Sequence, residues 1–285
     1  MTRVAAGRWE IAETDPEYPE CLRDLQDPPH VLYGYGDPAM LGGGLAVIGS
    51  RKATPYGLAC TRLFAGWAAS RAITVVSGAA IGCDLASHRT ALDAGGPTVA
   101  VLPCGADQDY PLRAADTLAA VRTRGAVVSE APWGSPPARW TFVRRNRIIA
   151  ALSRVVLVVE AGLPSGTFTT ADHALDIGRD VLAVPGSIFA PECRGSNRLI
   201  RQGAALVTDV TELAEAFGRE TLPLVCPLMS SDRVLSAIRA DPARPDDLAH
   251  DLGIDIVDVV RSISLLELQG RVARYGDGRY GPIQA

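Results

Sequence analysis

Residues 139–170 read RWTFVRRNRIIAALSRVVLVVEAGLPSGTFTT, and the order of patterns in this stretch decides the fold. A basic lead-in carrying Trp140 and Phe142 runs into an amphipathic helix expected over 143–152. VVLVVE follows, an unbroken apolar run of the kind a strand shows when both of its faces are covered. Ser165, Gly166 and Thr167 then open another helix. Their hydroxyls and the unpaired N–H groups of a helix start outline an anion site, and the same residues also make an ordinary helix cap. Arg139, Arg144, Arg145, Arg147 and Arg154 fall between Glu130 and Glu160 with no acidic residue among them, in a chain of net charge −4.

The same alternation extends outward on both sides. Upstream come LAVIG (45–49), a helix over 54–70 opened by Thr54-Pro55, ITVVS (73–77), a helix over 83–94, TVAVLP (98–103), a helix over 112–123 and AVVSE (126–130). Downstream come a helix over 167–177, VLAVP (181–185), a helix over 196–202, AALVT (204–208) and a helix over 209–217. Buried strands alternating with helices predict an α/β fold with a doubly wound, mainly parallel sheet. The connections after helices are short and glycine-rich. Those after strands are longer and polar: GSRKAT, SGAAIG, CGADQDYP, EAGLPSGT and PGSIFAPECRGSN. Open α/β sheets bind ligands at the carboxyl ends of their strands, so this asymmetry places a polar, anionic ligand there.

Residues 1–40 hold five prolines (Pro16, Pro19, Pro28, Pro29, Pro38), a short helix over 19–25 and a strand over 30–35. They read as an arm packed on a core over 41–217. Residues 218–229 read as a linker. Residues 230–285 give three helices and a hairpin turning at Gly276-Asp277-Gly278, a winged-helix pattern. Its would-be recognition helix carries Asp255, Asp258 and Glu267 against Arg261, a poor balance for a DNA major groove.

The 285 residues are 47% hydrophobic and 21% charged, ordinary for a soluble globular chain. A pI of about 5.6 argues against coating nucleic acid by bulk charge, while leaving room for a local basic patch. The start has no apolar signal core, and no apolar run reaches the roughly 20 residues that cross a bilayer. Six scattered cysteines without a CxxC pair suit reduced thiols, so a cytoplasmic protein that does not meet the membrane is expected.

Four segments carry candidate binding residues. Gly49 allows a sharp turn that sets Ser50 and Arg51 over a strand end, where arginine holds phosphate bidentately; the loop fits neither a dinucleotide nor a Walker motif. Arg139, Phe142, Arg145, Asn146 and Arg147 interleave cations with an aromatic ring, as single-strand binders do. Ser165, Gly166 and Thr167 are the third group. Asn197 and Arg198, in RGSNRLIRQGA, either extend the basic surface or belong to a capped helix with solvated arginines. Asp84 and His88, at helical spacing, read as a structural Asp–His hydrogen bond rather than a metal site. No GxSxG elbow, Cys/His pairing or paired-carboxylate signature points to catalysis, and no cofactor is expected.

GSRKATPYG, SGAAIGCDLASH, VLPCGADQDYP, RNRIIAALS, VVEAGLPSGTFTTADHAL, GRDVLAVPGSI and RGSNRLIRQGA occur in this order. The chain thereby resembles the DNA-processing protein A family (DprA, also called Smf) over about residues 15–215. The resemblance implies an extended Rossmann-like core that binds single-stranded DNA and passes it to the RecA recombinase, a homodimer, and a role in natural transformation. By position, Arg51 matches the family's phosphate-holding arginine, Ser77 and Gly78 its Ser-Gly turn, Arg145, Asn146 and Arg147 its Arg-Asn-Arg block, and Ser165, Gly166 and Thr167 its Ser-Gly-Ser/Thr loop. Ile81 stands where the family often has arginine, and Val143 where it often has proline. An alternative is a nucleotide-processing enzyme of the phosphoribohydrolase type. LPSGTFTTADH lacks that type's double glycine and glutamate, which ranks this reading below the binder.

Overall fold

The computed structural model describes residues 7–218, 229–253, 255–268 and 270–282. The chain divides into two compact units, Met1–Pro223 and Leu224–Ala285. All but the two ends of the expected linker 218–229 lies outside the described residues.

In chain order the first unit contains β1 (Arg8–Ala12), β2 (Val31–Gly36), β3 (Gly44–Gly49), α1 (Pro55–Ser70), β4 (Val75–Ser77), α2 (Cys83–Asp93), β5 (Thr98–Val101), α3 (Ala115–Arg124) and β6 (Ala126–Ser129). It continues with α4 (Arg139–Ala151), β7 (Ser153–Glu160), α5 (Thr167–Asp176), β8 (Asp180–Ala183), α6 (Arg194–Arg201), β9 (Ala205–Leu206) and α7 (Val210–Ala216). The strands form one sheet in the order β1-β2-β6-β5-β4-β3-β7-β8-β9. From β6 to β9 all pairings are parallel; β2 joins β6 and β1 joins β2 antiparallel. The mainly parallel, doubly wound sheet is therefore present.

Strand β3 shows why the sheet is covered on both sides. Ala46 and Ile48 pack in one cluster with Ile148 and Ile149 of α4, whereas Leu45 and Val47 pack on Phe64 and Trp67 of α1. Alternation along the strand sends neighbours to opposite faces, and each fully buried Val, Leu or Ile contributes about 1.5–3 kcal/mol. The winding reverses between β3 and β7. The chain steps from β3 through β4 and β5 to β6, then crosses to β7 and continues outward to β8 and β9.

Two features differ from the sequence reading. The amino-terminal stretch supplies two strands of the main sheet, of which only the second was expected. β1 is held by β2 and by Trp9, whose Nε1 donates to the Gly36 carbonyl at 3.0 Å. Helix α4 begins at Arg139, four residues before the expected start at Val143. The cap works in reverse: the Ala138 N–H donates to Thr141 Oγ1 at 3.1 Å, so the usual Ser, Thr, Asp or Asn before the helix is missing.

The second unit contains α8 (Met229–Ala240), α9 (Pro245–Leu252), α10 (Ile256–Leu268), β10 (Val272–Arg274) and β11 (Tyr280–Pro282). The hairpin β10–β11 and the helices enclose Val234, Ile238, Leu248, Val259, Ile263 and Val272. This is a winged-helix arrangement.

Candidate nucleic-acid interface

A cavity of about 430 Å3 in the first unit opens where the winding reverses. Its walls are the loops following β3, β4 and β7 and one side of α4. Doubly wound sheets bind ligands at this point because two neighbouring loops diverge there to opposite faces.

The loop after β3 is held from below. Glu160, fully buried at the end of β7, accepts the Thr54 N–H at 2.9 Å and the Thr54 hydroxyl at 2.6 Å. Thr54 in turn caps α1, accepting the Gly57 N–H at 3.2 Å. A Cβ on Gly49 would lie 2.6 Å from Cys83 Sγ, so only glycine allows β3 to end this close to α2. The clamp leaves Arg51 and Lys52 exposed at the rim.

Arg145 forms the floor. Its helical position places it on the face of α4 that carries Ile148, Ile149 and Leu152 into the core. The guanidinium donates to the Gly78 carbonyl at 2.8 Å and to the Val101 carbonyl. Burial lowers its pKa to about 10, against the favourable charge of Asp84, so it stays protonated at neutral pH. Asp84 is pushed above the usual carboxylate range by burial, with the Arg145 charge and the Gly78 and Ala80 amides pulling it back. The cavity thus rests on a buried guanidinium fixed by backbone carbonyls, with Arg51 and Lys52 at its rim.

On the far wall Asn146 donates to Thr169 Oγ1 at 2.6 Å, joining α4 to α5. Ser165 Oγ accepts the Thr167 N–H at 3.2 Å, which shapes the turn into α5. Beside this cavity lies a smaller, more apolar one of about 170 Å3, walled by Ile81, Pro103, Tyr110, Pro111 and Phe142. Phe142 meets Tyr110 edge-on at 5.8 Å, and the Arg51 guanidinium stacks over Phe142 at 5.1 Å. Arg51 borders both cavities.

The structure brings together Gly49, Ser50, Arg51, Phe142, Arg145, Asn146, Ser165, Gly166 and Thr167 around the larger cavity, with Gly78 at the smaller one. It sets the other candidates apart. Ser77 is fully buried and its hydroxyl donates to the Val47 carbonyl at 2.7 Å. Arg147 points away from the cavities and donates to Glu130 at 2.6 Å from a buried position. Arg139 is exposed at the start of α4 and lines neither cavity. Asn197 folds back on its own loop, accepting the Gly186 N–H at 3.0 Å and donating to the Gly186 carbonyl at 2.9 Å. Arg198 is exposed and stacks over Phe168 at 5.8 Å. The expected Asp84–His88 bond is replaced. His88 Nδ1 pairs with Thr98 Oγ1 at 2.7 Å, and because that hydroxyl donates to the Val75 carbonyl, the imidazole is the donor. Burial lowers the His88 pKa to about 3.

Sequence reasoning missed Lys52, Tyr110 and Thr169, which also face the cavities. Lys52 and Tyr110 lay in the long strand-end loops already singled out, so restricting candidates to matched motifs hid them. Ile81, a loss when read as a missing arginine, is part of the apolar wall.

The comparisons agree with this architecture. The family model for DNA recombination-mediator protein A matches residues 9–218, and that for the DprA winged helix domain matches residues 230–278. The chain belongs to the DNA-processing protein A (DprA/Smf) family. It is 38% identical to Protein Smf of Escherichia coli K12 over 276 residues, covering 92% of this chain and 74% of that one. It is 39% identical to a putative DNA processing protein DprA of Mycobacterium tuberculosis H37Rv, covering 84% of this chain and 64% of that longer one. Among solved structures, DprA of Streptococcus pneumoniae superposes with a TM-score of 0.70 at 35% identity, covering 73% of this chain and 74% of that one. DprA of Helicobacter pylori, which binds single-stranded DNA, superposes with a TM-score of 0.66 at 28% identity, covering 74% and 96%.

Proposed function

We propose that this chain binds single-stranded DNA across the two adjoining cavities and passes it, without catalysis, to the RecA recombinase as a cytoplasmic homodimer during natural transformation. The observation that carries the DNA reading is the position of Arg51. It stands between a cavity lined by Ser50, Lys52, Asn146, Ser165 and Thr167 and a smaller, more apolar one walled by Phe142 and Tyr110. A nucleotide has the same division: a phosphate for the first and an aromatic face for the second. A base paired in a duplex cannot reach a side pocket without leaving the stack, so the arrangement favours single strands. The recombinase, dimer and transformation parts of the proposal rest on membership of the family.

Fluorescence anisotropy of a labelled poly-dT strand and its duplex, over a salt series, tests the reading. Salt-sensitive binding to the strand, with the duplex far weaker, is the expected result, and a RecA-loading assay follows from it. Equal binding to both forms, or to neither, overturns it and directs attention to base release from nucleoside monophosphates.

A further inference from the structure

We infer that the first unit carries a second anion site, at the end of the sheet opposite the cavities above. A cavity of about 290 Å3 is lined there by Arg71, Arg154, Thr74, Gly42, Gly43 and Phe217, among others. These residues lie before β3, before β4, at the start of β7 and just after α1 and α7. Six residues of β3 separate the two ends, roughly 17 Å at strand rise.

The lining offers hydrogen-bond donors and positive charge without a counter-ion. Among the described residues no acidic side chain lines it and no carboxylate pairs with Arg71 or Arg154. Both guanidiniums are held by aromatic rings instead. Arg71 lies over Trp67 at 4.8 Å and Arg154 over Phe217 at 5.9 Å. Stacking fixes the plane of a guanidinium and leaves its edge N–H groups free for an oxyanion. Arg71 Nε is buried with no acceptor, and Nη1 has only a long contact of 3.4 Å to Ser70 Oγ. Nε has no exposed surface and stays out of the cavity, whereas the outer guanidinium N–H groups, with that one weak contact, are left for an oxyanion there.

The ordinary alternative is that the two arginines answer the carboxyl ends of α1 and α7. Each such end carries about half a negative charge, so two full charges exceed the demand by about one. The α1 end is also closed by backbone: the Ala72 N–H donates to Ala69 at 3.1 Å and the Ile73 N–H to Ala68 at 3.0 Å. The surplus charge and the cavity beside it suit a phosphate or pyrophosphate group. Such a group comes either from a free phosphorylated small molecule or from the backbone of a nucleic-acid strand. The inference is independent of the single-strand reading, because no residue is shared between the two sites.

The test is calorimetric titration of the full chain with pyrophosphate at low salt. Two sites are expected in the unaltered protein, and one remains in Arg51→Ala. Adding Arg154→Gln to that variant weakens the remaining site about tenfold, the loss of one charge-assisted bond. Adding Arg71→Gln as well abolishes it. Arg154 is exposed, so its replacement leaves the thermal midpoint without ligand unchanged and separates binding from folding. If a strand supplies the phosphate, Arg154→Gln alone also lowers the salt slope of poly-dT binding, by about 0.7 for each phosphate no longer neutralised. If a small molecule supplies it, that slope stays the same and pyrophosphate still raises the thermal midpoint of Arg51→Ala. No pyrophosphate site in Arg51→Ala, or one that survives the loss of both Arg71 and Arg154, overturns the inference.

Discussion

Helices α4 and α10 are both 13 residues long, and they use charge in opposite ways. α4 carries Arg139, Arg144, Arg145 and Arg147 and no acid, whereas α10 carries Asp258 and Glu267 against Arg261. On α10 the charges are exposed, and Arg261 lies 3.5 Å from Asp258 beside the exposed side chains of Val257 and Val260. On α4 the arginines divide by helical position. Arg145 faces the core under the cavity, Arg144 and Arg147 share Glu130, and Arg139 stays in solvent. A run of arginines thus takes on different tasks according to which side of the helix each occupies and which group it meets there.

The sharpest way to break this comparison is at Arg147. If it is structural, Arg147→Met removes the 2.6 Å bond to Glu130, which keeps Arg144 at 3.0 Å as its partner, and costs about 1.5–3 kcal/mol of stability in denaturant melts. Single-strand affinity of the folded fraction stays within about twofold. A stable variant with weakened affinity would return Arg147 to the binding surface. Phe142→Ala comes next, with an expected loss of about 1–3 kcal/mol in single-strand binding and little change in salt slope, measured by anisotropy. Arg51→Ala has a smaller but more specific signature: the slope of log K against log salt falls by about 0.7 for each phosphate that the arginine neutralises, alike for all sequences. An unchanged slope would take Arg51 off the backbone track. The smallest effect belongs to α10. Asp258→Lys is expected to leave single-strand affinity of the full chain unaltered, and a marked gain would show that this helix meets DNA after all.

The alternation of buried strands and helices was legible because β3 through β8 each keep an apolar run covered on both faces. That a cavity opens at the carboxyl ends of the strands was legible from the strand-end loops, which are both longer and more polar than the others. What escaped was set by partners distant in sequence. β1 is only five residues with a mixed pattern, and its place depends on pairing with β2. The burial of Arg147 depends on Glu130, which the sequence shows only as the last acid before a basic run. The His88–Thr98 pair joins a helix to the next strand, whereas the sequence offered a closer and more familiar partner in Asp84.

The clamp between Glu160 and Thr54 spans 106 positions of the chain. During synthesis at about 5–20 residues per second, Arg51 therefore emerges about 5–20 seconds before the strand that holds its loop in place. Throughout that interval the nascent polypeptide displays the arginine without the cavity. The cavity is thus a property of the completed sheet, and a chain that stalls or is cut before β7 carries the motif with no cavity around it.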